Sequence, residues 1–303
     1  MTDIDDIVLN FSPASLTLLN IILCVVMFSI ALDLKADDFR EVSRRPKSFL
    51  AGMVSQFIAI PALTYLLVII LEPKPSIALG LMLVAACPGG NISNFLTHRA
   101  RGNLALSVSM SAFTTIAAPI ATPFNIAFWG SLYPPTREIL RATEIDPLSV
   151  LYTVMLLLVL PMALGMLTNA RWPALAAKIR KPLQILSMFI FVGFVVAALA
   201  ANWSFFLGYV GQVALLVVLH NGIALACGYI IATLAKVPDA DRRAITIESG
   251  IQNSGLGLIL IFAFFDGLGG MTVAAAFWGI WHAVSGLAFA NWVRRKDPAP
   301  APA

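Results

Sequence analysis

The segment Glu248-Ser249-Gly250-Ile251-Gln252-Asn253-Ser254-Gly255 (ESGIQNSG) lies between Ala-Ile-Thr-Ile (244–247) and the apolar run LGLILIFAFF (256–265). One carboxylate, two amides, two hydroxyls and two glycines interrupt a stretch otherwise apolar enough to enter a bilayer. Its meaning depends on the chain around it. That chain is 59% hydrophobic and 12% charged over 303 residues, with a mean hydropathy of +0.87. A soluble domain carries about 25% charged residues, so the composition reads as an integral membrane protein.

A membrane-crossing helix needs about 20 largely apolar residues. Nine segments meet that requirement, near 14–34, 48–71, 75–98, 103–130, 147–170, 180–201, 206–235, 240–266 and 271–293. With the N-terminus outside, 17 of the 20 Lys and Arg residues fall in cytoplasmic segments; only Lys74, Arg137 and Arg141 fall on the opposite side. The positive-inside rule therefore supports nine spans with the C-terminus inside, and eight or ten spans would scramble the pattern. The net charge of +4 is thus read as topology, with no nucleic-acid partner. Trp172, Trp203 and Trp292 fall near span ends, as interfacial anchors do. Asp33 reads as a boundary residue at the end of span one, 131–146 as an external loop, and the Pro/Ala-rich 296–303 as a disordered tail. The acidic start MTDIDDIVLN has no basic region of the kind that opens a cleavable signal peptide. Cys24, Cys87 and Cys227 are odd in number, lie in apolar runs and lack metal-ligand spacing.

Glu248 sits deep within span eight, and no Lys or Arg lies deep in any span to pair with it. A carboxylate at mid-bilayer costs about 2.5–3.5 kcal/mol on insertion scales. Two readings follow: a neutral buried acid, or a cation or proton site, which is favoured because intramembrane carboxylates are rarely passive. A second break, Pro88-Gly89-Gly90-Asn91-Ile92-Ser93-Asn94, interrupts span three. Paired Gly-interrupted spans in two halves of a chain point to the central site of an inverted-repeat transporter. The two breaks correspond if the first half lacks its opening helix. Ser107 and Ser111, spaced i, i+4, share a helix face, and by themselves read as hydroxyls bonded back to the backbone. Gln56 by itself reads as a bond to a neighbouring helix. His220 and His282 are open between packing and ligand contact. No span holds the paired aspartates or HExxH of an intramembrane protease, and Glu248 has no suitable in-span partner by spacing. A secondary transporter therefore explains the chain better than an enzyme or a receptor.

Three stretches, ACPGGNISNFLTHRARGNLALSVSMS (86–111), LHNG (219–222) and IESGIQNSGL (247–256), resemble the signatures of the bile acid:sodium symporter family, and the resemblance covers nearly the whole chain. It implies an all-α fold of two inverted five-helix repeats with the first of ten helices absent. A panel domain (about 10–36 and 146–202) would face a core domain (about 47–130 and 205–293) in which two broken helices cross. Two coupling Na⁺ ions and no other cofactor are implied. One ion would take Ser93, Asn94, Ser107, Ser111 and Glu248. The other would take Gln56, Glu248 and Gln252 with the carbonyls of Ser249 and Ile251. Position 111 is Ser where Thr is common. Asn91, Asn253, Ser254 and His282 would line the site of a small organic anion such as a bile acid, pantoate or a keto acid. Ala283 stands where bacterial relatives often carry Asn. The implied function is Na⁺-coupled symport by alternating access in a bacterial inner membrane. The alternatives are a metalloid (arsenite-type) carrier or a proton-coupled carrier of related architecture.

Overall fold

The computed structural model describes residues 4–6, 13–32, 40–90, 92–142, 155–201 and 203–296. Every regular element among them is helical, apart from one isolated antiparallel bridge, Gly89 to Gln252. A 3-10 turn (Ile4–Asp6) precedes α1 (Pro13–Ala31) and α2 (Arg40–Arg44). Next come α3 (Pro46–Leu71), α4 (Pro75–Ala86) and α5 (Ile92–Arg99). α6 (Leu104–Leu132) and α7 (Pro134–Ala142) follow, then α8 (Leu160–Arg171) and α9 (Pro173–Ala201). The chain finishes with α10 (Trp203–Leu234), α11 (Asp239–Gly250), α12 (Ser254–Phe264) and α13 (Gly269–Lys296).

Proline opens five of these helices, as Pro13, Pro46, Pro75, Pro134 and Pro173. At that position its missing N–H has no intrahelical acceptor to serve, and its φ already suits the helix. Two other prolines lie inside apolar runs and perturb them alike. Pro61 follows a π segment at Ser55–Ala59, and Pro161 follows one at Met155–Val159. Each proline withdraws the N–H that would bond the carbonyl four residues back, and the helix widens by a turn rather than ending.

Among the described residues, four continuous stretches are long and apolar enough to cross a membrane: Pro46–Leu71, Leu104–Leu132, Val213–Leu234 and Gly269–Arg295. Pro75–Ala86, Leu156–Arg171 and Ser254–Phe264 are shorter apolar helices. Burial follows the pattern of a membrane protein. Ile70 and Leu234 are 74% and 76% exposed, whereas Glu248, Gln252, Ser93 and Ser107 are fully buried. Leaving such apolar side chains outside is favourable only in lipid. α1 packs with α8 and α9 and meets α12 along one edge. α4 is buried along its length from Ser76 to Ala86 and shares the main apolar core with α12 and Trp278 of α13. The first half of one broken span, α4, and the second half of the other, α12, thus lie inside the protein rather than against lipid.

The sequence reading fails at 131–146, expected as a loop. Residues Pro134–Ala142 form α7, and Thr136 Oγ1 donates to the Gly130 carbonyl (2.6 Å) across the turn from α6. The Pro-Pro pair at 134–135 marks a helix start there, not a loop. α9 also begins earlier than expected, at Pro173, and carries Lys178, Arg180 and Lys181. Asp33, residues 143–154 and residues 297–303 lie outside the described residues.

α4 and α13 meet at Gly80, where an added Cβ would come 2.7 Å from the Met271 Cα. A backbone atom cannot yield, so Gly80→Val is expected to cost about 1–3 kcal/mol. It should lower the Tm of the detergent-purified protein, whereas Gly222→Val, which meets nothing within 4 Å, should leave it unchanged. Equal Tm values for the two variants would contradict this packing.

Candidate functional site

The two breaks meet. Gly90 N–H donates to the Ile251 carbonyl (2.8 Å), and Asn253 N–H donates to the Pro88 carbonyl (2.8 Å). These reciprocal bonds form a two-strand ladder only a few residues long. They satisfy backbone groups that four helix ends, those of α4, α5, α11 and α12, would otherwise leave unpaired at mid-protein. Local chemistry shapes each break. Pro88 has no N–H to continue α4. The Asn253 side chain accepts from Leu256 N–H (3.0 Å) and so caps α12. Gly89 lies directly against the Glu248 carboxylate, where any Cβ would overlap Oε1. Only glycine fits there.

Glu248, in the last turn of α11, is fully buried. Its Oε2 accepts from Ser93 Oγ of α5 (2.6 Å) and lies 3.3 Å from Ser107 Oγ of α6. Its Oε1 accepts from Ser111 Oγ (2.6 Å). Ser107 Oγ is also 2.9 Å from Asn94 Oδ1, and Ser93 Oγ is 3.4 Å from Ser111 Oγ. Three hydroxyl protons serve five oxygen–oxygen contacts around the carboxyl group, so lone pairs outnumber hydroxyl protons at this point. Among the described residues Glu248 forms no ion pair, whereas Asp241 pairs with Arg45, and Asp239 with Arg242 and Arg243. A dense set of oxygens around a buried, unpaired carboxylate is the donor chemistry of a hard cation. Among the described residues no three His, Cys, Asp or Glu side chains gather as a softer metal or a thiol-bound metalloid would require.

A second group lies beside the first. Gln56 Nε2, on the π segment of α3, donates to Gln252 Oε1 (2.7 Å) and the Cys87 carbonyl (2.8 Å). Gln252 Nε2 donates to the Ser249 carbonyl (2.9 Å) and lies 3.3 Å from Gln56 Oε1. The structure thus brings Gln56, Gln252 and the Ser249 carbonyl together. The Ile251 carbonyl is engaged by Gly90 N–H, and the Glu248 oxygens bond within the first group. Ser254 packs against Gly279, one turn before His282 on the same face of α13. His282 stacks edge-on to Trp278, and its buried Nδ1 has no hydrogen-bond partner among the described residues. Asn91 lies outside the described residues.

His220 is a packing residue. Trp278 Nε1, which can only donate, bonds His220 Nδ1 (2.8 Å). The ring proton is therefore on Nε2 and bonds Thr64 Oγ1 (2.7 Å), which donates to the Ile60 carbonyl (2.8 Å). Three partners of the site escaped the sequence reading. Ser55 Oγ lies 2.7 Å from Ser249 Oγ. Thr114 Oγ1 accepts from Gly89 N–H (3.4 Å). Asn221 Nδ2 donates to the Gly250 carbonyl at the end of α11 (2.8 Å). Only Asn221 carried a signal, as an amide deep in an apolar run. Ser55 and Thr114 are of types common in membrane helices.

Comparison with known proteins agrees with this geometry. Residues 20–209 match the sodium bile acid symporter family. The chain is 33% identical over 294 residues to the "uncharacterized sodium-dependent transporter YocS" of Bacillus subtilis, covering 95% of this chain and 88% of that protein. It is 31% identical to the "probable sodium/metabolite cotransporter BASS1, chloroplastic" of Arabidopsis thaliana, over 91% of this chain and 66% of that one. It is 30% identical to the mouse "sodium-dependent organic anion transporter", over 80% of this chain and 63% of that one. The chain thus spans about two thirds of the plant and mouse proteins. These relatives indicate a transporter rather than an enzyme, set in the membrane by its long apolar helices. With most of its length matched and the paired breaks in place, the chain belongs to the sodium bile acid symporter family.

Proposed function

We propose that the protein couples the inward movement of a small organic anion to two Na⁺ ions, by alternating access across nine membrane-crossing segments with the N-terminus outside and the C-terminus in the cytoplasm of a bacterial cell. The observation that carries this reading is Glu248, fully buried without a cationic partner, at the point where the two broken helices meet. One Na⁺ would displace the hydroxyl protons from the carboxylate and take oxygens from Ser93, Asn94, Ser107, Ser111 and Glu248. The second would part the Gln56–Gln252 amide pair and use Gln56, Glu248 and Gln252 with the carbonyls of Ser249 and Ile251. The carboxylate would offset part of the charge of both ions, and the ladder beside it would be braced by their binding. The panel would be α1, α8 and α9, moving against the remaining helices as core.

The anion would bind at the N-terminal ends of α5 and α12, where the helix dipole favours negative charge. His282, with a buried ring nitrogen still available, and the Ser254 hydroxyl would orient it, with Asn91 and Asn253 as further contacts. The names of the plant and mouse relatives, a sodium/metabolite cotransporter and a sodium-dependent organic anion transporter, support a metabolite anion. Two Na⁺ per monovalent anion would carry one net positive charge inward, so a negative interior would drive uptake.

In proteoliposomes screened with bile acids, pantoate and pyruvate, uptake of at least one anion is expected to require an inward Na⁺ gradient and to vanish when K⁺ replaces Na⁺. Glu248→Gln should abolish it. Ser111→Ala, which removes one bond to the carboxylate, should raise half-saturating Na⁺ about tenfold, while Ser111→Thr keeps the hydroxyl and should restore it. Na⁺-driven uptake by Glu248→Gln at the wild-type rate would contradict the assignment. For the anion site, His282→Ala should raise the KM for the anion and leave half-saturating Na⁺ unchanged. An unchanged KM would remove His282 from it.

A further inference from the structure

A second buried carboxylate lies outside the crossing. Asp241, in the first turn of α11, is fully buried, although most residues near a helix start face solvent. Its neighbour Asp239 shows the ordinary behaviour: half exposed, it pairs with Arg242 and Arg243 on its own helix. Asp241 turns inward to other helices. Arg45 Nη1 donates to both of its oxygens (3.0 and 3.1 Å), Ser48 Oγ to Oδ2 (2.6 Å) and Asn103 Nδ2 to Oδ1 (2.8 Å). Asn103 N–H also donates to the Ala240 carbonyl (2.9 Å), and its side-chain oxygen caps α6 at Leu106 N–H (3.2 Å). A cavity of about 610 Å³ opens on this cluster, lined by Arg44, Arg45, Asn103, Ala240 and Asp241.

The spacing of these partners links the cluster to the crossing. Ser48 and Gln56 on α3 are eight residues apart, Asn103 at the N-cap of α6 and Ser111 within it are also eight apart, and Asp241 and Glu248 on α11 are seven apart. Seven or eight residues is two helical turns on one face, a rise of about 10–12 Å. Each arm of the cluster therefore stands two turns along from a residue of the proposed sodium pocket, on the same three helices. Fixing the three helix ends fixes how Gln56, Ser111 and Glu248 face one another. A helix-dipole role alone does not account for this, because the partners come from two other elements at sequence separations of 138 to 196.

We infer that Asp241 is a positioning residue for the sodium pocket, acting as a clamp that sets the axial register of α3, α6 and α11. This inference rests on the sodium reading of Glu248 above. The Arg45–Asp241 pair, buried on the Asp241 side only, adds little net stability, but together with Ser48 and Asn103 it holds one geometry of the three helix ends.

The test uses the full-length purified protein and NaCl alone, with the NaCl-dependent rise in Tm measured against KCl at constant ionic strength. Asp241→Asn is expected to raise half-saturating Na⁺ at least fivefold, and Ser48→Ala about twofold. Asp239→Asn, in the same turn but outside the clamp, should match wild type. A purely structural role would lower Tm in KCl without moving half-saturation. Wild-type half-saturation in both Asp241→Asn and Ser48→Ala therefore overturns the proposal. If Asp241→Asn does not fold, Asn103→Ser replaces it, since Ser keeps the helix cap but loses the amide bond to Asp241; the same shift is expected, and its absence is equally decisive. A wild-type protein with no Na⁺-specific rise would instead overturn the sodium reading itself, and the clamp with it.

Discussion

Two backbone hydrogen bonds, Gly90 N–H to Ile251 and Asn253 N–H to Pro88, are the constraint on which the rest of this structure depends. A helix broken inside a membrane exposes donors and acceptors that lipid cannot satisfy, at several kcal/mol for each unmet group. Here each break supplies what the other lacks, so two unfavourable segments become one stable crossing. That is why neither break stands alone, although they are separated by about 160 residues of sequence. It is also why the helices that carry them, α4 and α12, are the most enclosed apolar elements of the protein.

The crossing also creates a local electrostatic demand. Glu248 is held beside Gly89, where no larger residue fits, and is surrounded by hydroxyls that can donate to it but cannot neutralise it. Neutral dipoles stabilise a buried carboxylate only in part, and a monovalent cation would complete the balance. Ion binding would then tighten the same backbone ladder that exposes the anion-facing helix starts, so cation and anion would be coupled through one short segment. The clamp at Asp241 extends this logic along the helices: a pocket assembled from three separate elements works only while their relative register is held.

The sequence disclosed these features unevenly. Glu248 and the two Gly-containing breaks were legible because each is expensive in an apolar run, so its presence demands a reason. Gln56 by itself read as a bond to a neighbouring helix and was singled out by the resemblance. The serines around Glu248 were not legible from their own chemistry, since a lone hydroxyl in a membrane helix commonly bonds its own backbone; the resemblance to a family singled them out, and the fold brings them to Glu248. Ser55 and Thr114 carried no signal, because what defines them is a partner 194 or 25 residues away. His220 could be settled only by its neighbours, since a Trp donor on one nitrogen determines the tautomer. Helix α7 was misread because Pro-Pro marks both loops and helix starts. The π segments were hidden for a similar reason: proline announces a perturbation without specifying whether the helix bends, widens or ends.

The central claim is that the crossing holds two Na⁺ ions that share one carboxylate. Equilibrium binding of radiolabelled Na⁺ to the purified protein, in K⁺-free buffer with saturation followed to a plateau, addresses it most directly. Two ions per wild-type chain are expected, with loss of both in Glu248→Gln and loss of one in Gln252→Ala. A plateau of zero or one ion in wild type, or two ions retained without the carboxylate, would contradict the account.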